Sequence, residues 1–148
     1  MEQAHVENSF DFQVGASFER TFPLFGGWGE RAWAGEEWSP RFLWPDPPED
    51  VDGEVFAVGE GDDQSVWVNT RFDRAEGRIQ YVYVMPGVQA VRIDLVLVET
   101  EPESTWVRVS YQRTALEPKA CERVLELGRR DREQGPAWSK AIEAFLAD

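Results

Sequence analysis

The sequence predicts an α+β domain: a curved antiparallel sheet of about six strands, two short helices after the first strand, and a long C-terminal helix across the sheet. Three observations predict it. Apolar and polar residues alternate with period two in one segment before Gly15 and in five after Glu54. The last five are joined by "GDDQ", "RAEG", "PGV" and "EPE", and links that short join antiparallel neighbours. From Pro118 onward the apolar residues fall at helical spacing instead. No repeat or low-complexity segment divides the 148 residues, so one domain spanning 1–148 is expected.

The first strand is read in "NSFDFQVGAS", where Phe10, Phe12 and Val14 share one face, Asp11 and Gln13 take the other, and Gly15 ends the run. Ser17 is a candidate N-cap for a helix through "FERTFPLFG", in which Phe18, Phe22 and Phe25 recur at helical spacing. Arg20 stands where a capping box wants Glu or Gln, and Pro23 with Gly26 and Gly27 keeps the helix short. A second short helix is expected from about Gly29 to Ala34. Pro40, Pro45, Pro47 and Pro48 mark the following stretch as loop, because proline has no N–H to give to a ladder. The five later strands are "GEVFAVGE", "SVWVNTRFD", "RIQYVYVMPG", "QAVRIDLVLVET" and "STWVRVSYQRTAL".

In the C-terminal helix, Cys121, Val124, Leu125 and Gly128 form one stripe, and Trp138, Ile142, Phe145 and Leu146 another. Gly135 lies one heptad from both Gly128 and Ile142, which keeps the stripes in phase. That favours one kinked helix, although Pro136 would cost about 3 kcal/mol in a helix interior. Between the stripes "GRRDREQG" has no large apolar residue, a gap that a helix lying flat on a sheet should not have.

Composition narrows the function. A net charge of −13, from 28 acids against 15 bases, opposes both nucleic-acid binding and attachment to anionic membrane surfaces. It keeps an aromatic-rich chain soluble. "MEQAHVENSF" has neither a basic nor an apolar leader region, and no apolar run approaches the ~20 residues of a membrane span. One cysteine, Cys121, cannot close an internal disulfide, so a cytoplasmic protein is expected, with Cys121 an inert buried thiol. The single histidine, His5, falls in what reads as a frayed tail, so a histidine-based triad has little support. "GEGDDQ" lacks the spacing of a calcium loop, and no glycine pattern makes a phosphate cradle. No metal and no cofactor are expected.

The order of these elements resembles the START-like, helix-grip superfamily (SRPBCC), in particular its bacterial polyketide-cyclase/dehydrase-like members. The residues that carry the resemblance are "ASFERTFPLFG" after the first strand, the Trp-bearing "RAWAGEEWSPRFLWP", then "FDRAEGRIQYVYVMPG" and "VRVSYQRTALEP" before the last helix. Together they span about Ser9 to Phe145. The resemblance implies a largely apolar cavity between the sheet's concave face and the long helix, binding lipids, sterols, polyketides or similar molecules. The polar "GRRDREQG" departs from the pattern and fits a partly polar or open cavity better than a closed, greasy one.

Eight of the nineteen aromatic residues lie between Phe18 and Trp44. Aromatics carry the largest apolar load, and each can fill the core or wall a pocket. Trp33 and Trp38 flank the flexible "AGEE" and are candidates for a pocket rim; Trp44, between Leu43 and Pro45, is a candidate for packing. On the last strand Val107, Val109, Tyr111 and Arg113 share the inward face. An inward Arg113 needs a partner, either Asp131 or Glu133 of the terminal helix or an anionic ligand head. Tyr81, Tyr83 and Tyr111 need hydroxyl partners that other side chains or a ligand would supply. The candidate ligand-binding set is Phe22, Trp33, Trp38, Trp67, Tyr81, Tyr83, Tyr111 and Trp138, with Arg113 as the orienting charge. The expected partner is a small hydrophobic or amphipathic molecule. Two other readings stand beside it. One is a polyketide cyclase or aromatase, with Tyr111 or Arg113 acting at an enolate. The other is a protein-interaction module of the chaperone-activator kind, of which a homodimer would be one form.

Overall fold

Alternation along the chain becomes seven strands in the structure, a computed structural model that describes residues 4–148. The first three residues, which head the segment read for a leader peptide, lie outside the described residues. The strands are β1 (His5–Val14), β2 (Arg41–Trp44), β3 (Val55–Val58), β4 (Ser65–Asp73), β5 (Arg78–Met85), β6 (Gln89–Glu101) and β7 (Ser104–Ala115). They form one curved antiparallel sheet in the order β1-β7-β6-β5-β4-β3-β2. Three α-helices accompany it, α1 (Phe18–Thr21), α2 (Cys121–Asp131) and α3 (Gly135–Leu146), together with short 3₁₀ turns, one of which, Gly29–Ala32, stands where the second short helix is expected.

Register converts the alternating pattern into rows of side chains on the inward face. One row runs Arg113, Val91, Tyr83, Trp67, Phe56 and Phe42 across six strands, each residue paired with the next. The next row carries Tyr111, Ile93, Tyr81 and Asn69. Neighbours in a row touch across the ladder, which is how a sheet face is stabilised. Trp67 and Tyr83 stack with ring centroids 4.1 Å apart, a contact worth ~1 kcal/mol beyond its buried area. The core proper gathers Phe10, Val14, Phe22, Phe25, Ile79, Leu95, Val107, Val109 and Ile142, all buried.

Three expectations change. The prolines conceal β2: Pro40 and Pro45 stand just outside it, and an edge strand needs ladder bonds on one side only. His5 is not in a frayed tail. It opens β1, paired with Thr114, and its Nδ1 lies 2.8 Å from the Thr114 hydroxyl. The terminal helix is interrupted rather than kinked, ending at Asp131 and restarting at Gly135. The restart puts Pro136 in the first turn of α3, where its missing N–H has no intrahelical partner to lose, so the interior cost disappears. Ser17 does cap α1, accepting from the Arg20 N–H at 3.3 Å.

The polar "GRRDREQG" gap also has its reason. Gly128 lets α2 approach β1 so closely that a Cβ there would fall 2.7 Å from the Val6 side chain. Asp131 turns its carboxylate inward to Arg113, and the remaining charges of the stretch face solvent. Cys121 is buried beside Ala115, Ala120 and Val124 in a satellite cluster under α2. Among the described residues no helix is long and apolar enough to cross a membrane.

Candidate functional site

A pocket of about 380 Å³ lies between the sheet, α3 and the Trp-rich segment. Trp67, Tyr81, Ile93, Leu95 and Tyr111 of the inward rows form its floor. One wall is α3, through Gln134, Ala137, Trp138 and Ala141; the other is the chain from Glu30 to Trp38. Exposed Glu37 and Ala137 mark the mouth between the two walls. The indoles of the loop are fixed by backbone: the Trp33 Nε1–H donates to the Leu24 carbonyl at 2.6 Å, and the Trp38 Nε1–H to the Gly27 carbonyl at 2.9 Å. Trp67 donates to the Ser65 hydroxyl at 2.9 Å. With these N–H groups already used, the rings offer the pocket their faces and not their donors. Ring contacts lock the walls together, Trp33 against Trp138 at 5.3 Å and Trp38 against Trp67 at 5.4 Å.

Six of the nine candidate residues come together here: Trp33, Trp38, Trp67, Tyr81, Tyr111 and Trp138. Phe22, Tyr83 and Arg113 lie outside the pocket wall. Phe22 is 1% exposed, sealed between Phe18 and Phe72 in the core. Tyr83 lies under the Trp67 ring and accepts a hydrogen bond from Arg113 at 3.1 Å. Arg113 is buried and spends its donors internally. Both Asp131 oxygens accept at 2.8 Å, and Nη1 also donates to the Gln89 side-chain oxygen at 3.1 Å. Of its two expected partners Asp131 is the one that pairs, while Glu133 is exposed. Trp44 does not pack. It is 54% exposed, on the edge strand just past a register shift.

The structure also assembles a cluster that the sequence reading missed: Glu30, Asp50 and Glu54 beside Tyr81. Glu30 Oε2 accepts from the Tyr81 hydroxyl at 3.2 Å and from the Gly26 N–H at 3.3 Å, while its other oxygen makes no hydrogen bond among the described residues. Asp50 ties the Trp loop down by accepting from the Trp28 and Gly29 N–H groups, both at 2.9 Å. Gly29 is required there, because a Cβ would stand 2.2 Å from the Pro23 carbonyl oxygen. Glu54 is wholly buried, and its Oε2 finds no donor. The Asn69 amide is best satisfied with its nitrogen donating to the Arg71 carbonyl at 2.8 Å and the Gln80 carbonyl at 3.1 Å. That orientation turns the amide oxygen toward Glu54 Oε1, at 3.4 Å, so Oε1 meets an acceptor while Oε2 meets no donor. A carboxylate there accepts no hydrogen bond at either oxygen among the described residues, whereas a protonated Glu54 has an O–H to donate to the Asn69 oxygen.

Burial accordingly pushes Glu54 up to about 9, with the neighbouring Asp50 charge adding to the shift. Burial raises Asp50 as well, against the pull of the Trp28 N–H bond. Glu30 is raised to about 8, chiefly by desolvation; the Tyr81 hydrogen bond opposes this and the Asp50 charge reinforces it. No three of the described His, Cys, Asp and Glu side chains are placed to hold a metal ion. A partial signal for this cluster was present. Glu54 lies two residues before inward Phe56 and Asn69 two after inward Trp67, so alternation alone puts both on the inner face. Glu30 and Asp50 sit outside any strand, where no periodicity reports on them.

No protein-family model and no curated protein matches the sequence. Solved structures do match. Norcoclaurine synthase from Thalictrum flavum, in complex with dopamine and hydroxybenzaldehyde, superposes with a TM-score of 0.69 at 12% identity, over 98% of this chain and 88% of that one. A protein from Rhizobium loti gives 0.66 at 17% identity over 99% and 100% of the two chains. A hypothetical protein from Helicobacter pylori gives 0.70 at 10%, over 93% and 87%. At such identities the likeness speaks for the fold alone. That fold is the helix grip: an antiparallel seven-stranded sheet curved around C-terminal helices, shared by this chain and norcoclaurine synthase.

Proposed function

We propose that this protein binds a small, mainly aromatic or amphipathic molecule in the pocket between the sheet, α3 and the Trp loop. The observation that carries the reading is a 380 Å³ pocket walled by four tryptophans, within the ~300–1,000 Å³ range of small-molecule sites. Apolar burial at ~25 cal/mol per Å² holds the body of the ligand, and Glu30 and Tyr81 orient its polar end. Naphthalene derivatives are expected to quench tryptophan emission and raise the melting temperature. Trp38→Ala, which removes one wall, is expected to weaken them about ten-fold while circular dichroism shows the fold kept. Failure of all such probes to bind the wild-type protein would refute the proposal.

A second reading, acid–base catalysis, is favoured by one observation. Glu30 is raised to about 8 beside the pocket and is hydrogen-bonded by Tyr81, so it holds or yields a proton near neutral pH. Arg113 is committed to Asp131, so the enolate-stabilising role considered for it passes to Tyr111, whose hydroxyl makes no hydrogen bond among the described residues. If a bound carbonyl compound is turned over, Glu30→Gln is expected to lower kcat by about 100-fold or more with KM little changed. Equal turnover by that variant would remove Glu30 from the chemistry.

A further inference from the structure

Of the fourteen residues lining the pocket, none is Lys, Arg or His, while Glu30 and Glu37 are both acidic. Arg113, the inward cation closest along the sheet row, is held by Asp131, Tyr83 and Gln89 and does not reach the pocket. The indole N–H groups of Trp33, Trp38 and Trp67 are bonded to the protein. What remains for a ligand is a set of π faces, the unengaged Glu30 oxygen, and two neutral groups, the Tyr111 hydroxyl and the Trp138 N–H, with no cationic group among the lining residues. Ring faces carry negative quadrupole potential and draw cations, more strongly once water is displaced. An anionic head there would meet two glutamates with no counter-charge, on a chain of net charge −13.

We propose, building on the small-molecule reading above, that the pocket is a site for an aryl-alkyl amine bound as its ammonium ion, with the charge set between Glu30 and the faces of Trp33 and Trp38 and the aryl group on Ile93 and Leu95. The protonation of Glu30 suits this chemistry. Burial keeps the proton on Glu30 at neutral pH, and an arriving ammonium supplies the counter-charge that lets it leave. The balance is protonated Glu30 plus ammonium giving carboxylate, bound ammonium and one proton released to solvent. Tyr81, Tyr111, Asp50 and Glu54 are the titratable groups facing Glu30, with Glu37 at the mouth. The tyrosines stay neutral, since burial raises both. Asp50 and Glu54 lie behind Glu30 and outside the pocket lining.

The test compares three probes with one ring system, 2-(2-naphthyl)ethylamine, 2-(2-naphthyl)ethanol and 3-(2-naphthyl)propionate, by calorimetry at pH 7 in buffers of different ionisation enthalpy. The expected order is amine, alcohol, carboxylate, with the amine about ten-fold or more tighter than the alcohol. Its binding alone is expected to release close to one proton. In Glu30→Gln, checked for an unchanged fold, the amine-to-alcohol ratio is expected to fall toward one and the proton release to vanish. Equal binding of amine and alcohol by the wild-type protein would overturn the cation assignment and leave the small-molecule reading standing. An unchanged ratio in Glu30→Gln would overturn it as well. No binding by any of the three would overturn both readings.

Discussion

Wild-type stability is expected to fall as pH rises from 5 to 8, and Glu54→Gln is expected to abolish most of that fall. Glu54 releases its proton near 4.5 when unfolded and near 9 when folded, because it is buried against Asp50. Between those values the folded chain binds more protons than the unfolded one, so the stability of folding declines with pH by up to about 1.4 kcal/mol per pH unit for each such group. The contribution is complete below the unfolded value and is lost as pH climbs to the folded value. Glu30, raised in the same direction to about 8, adds to the slope. Glutamine has the shape of a protonated glutamate, keeps a hydrogen-bond donor and carries no charge beside Asp50, so the variant should be the more stable protein at pH 8 by a few kcal/mol. Urea unfolding at pH 5, 6, 7 and 8 measures this. A flat wild-type profile would mean that Glu54 is ionised in the folded state.

The second large effect concerns the ion pair that joins β7 to the end of α2. Arg113→Met is expected to cost about 3–5 kcal/mol, because it strands the Asp131 carboxylate in a place with almost no access to water and unpairs Tyr83 and Gln89. Buried pairs are costly to break and cheap to replace. The double variant Arg113→Met with Asp131→Leu is therefore expected to recover most of the loss. A denaturant double-mutant cycle reads the coupling directly. Additive single losses would show that the two charges do not depend on one another. This pair also explains why the terminal helix tolerates its polar stretch: one of those charges is a core residue, and it belongs at the helix end, where the chain can break before Pro136.

Legibility followed the source of the order. Strand faces were readable because period-two alternation is a local property. Phe10, Phe12, Val14, Val107 and Val109 all face inward as their spacing says. The Ser17 cap and the short helix after it were readable for the same reason. So was an inward Arg113, since a charge on an apolar face announces its need of a partner. The edge strand β2 was not, because the prolines around it carry the same local signal as a loop, and only pairing with β3 distinguishes the two. Trp44 was misplaced by the same limit: a tryptophan beside proline looks fixed, and whether anything covers it depends on what lies beyond the sheet edge.

The sequence by itself determined the class of the fold, the direction in which most strand residues point, and an aromatic excess that had to be housed between Phe18 and Trp44. Tertiary structure alone decided which of those aromatics bound a pocket and which are packed away. It also decided that Glu30, Asp50 and Glu54 meet. They are separated by twenty and four residues in the chain, on a 3₁₀ turn, a loop and the approach to β3, and no periodicity links such positions. Their protonation is a collective property of burial and mutual repulsion, which exists only once the chain has closed around them.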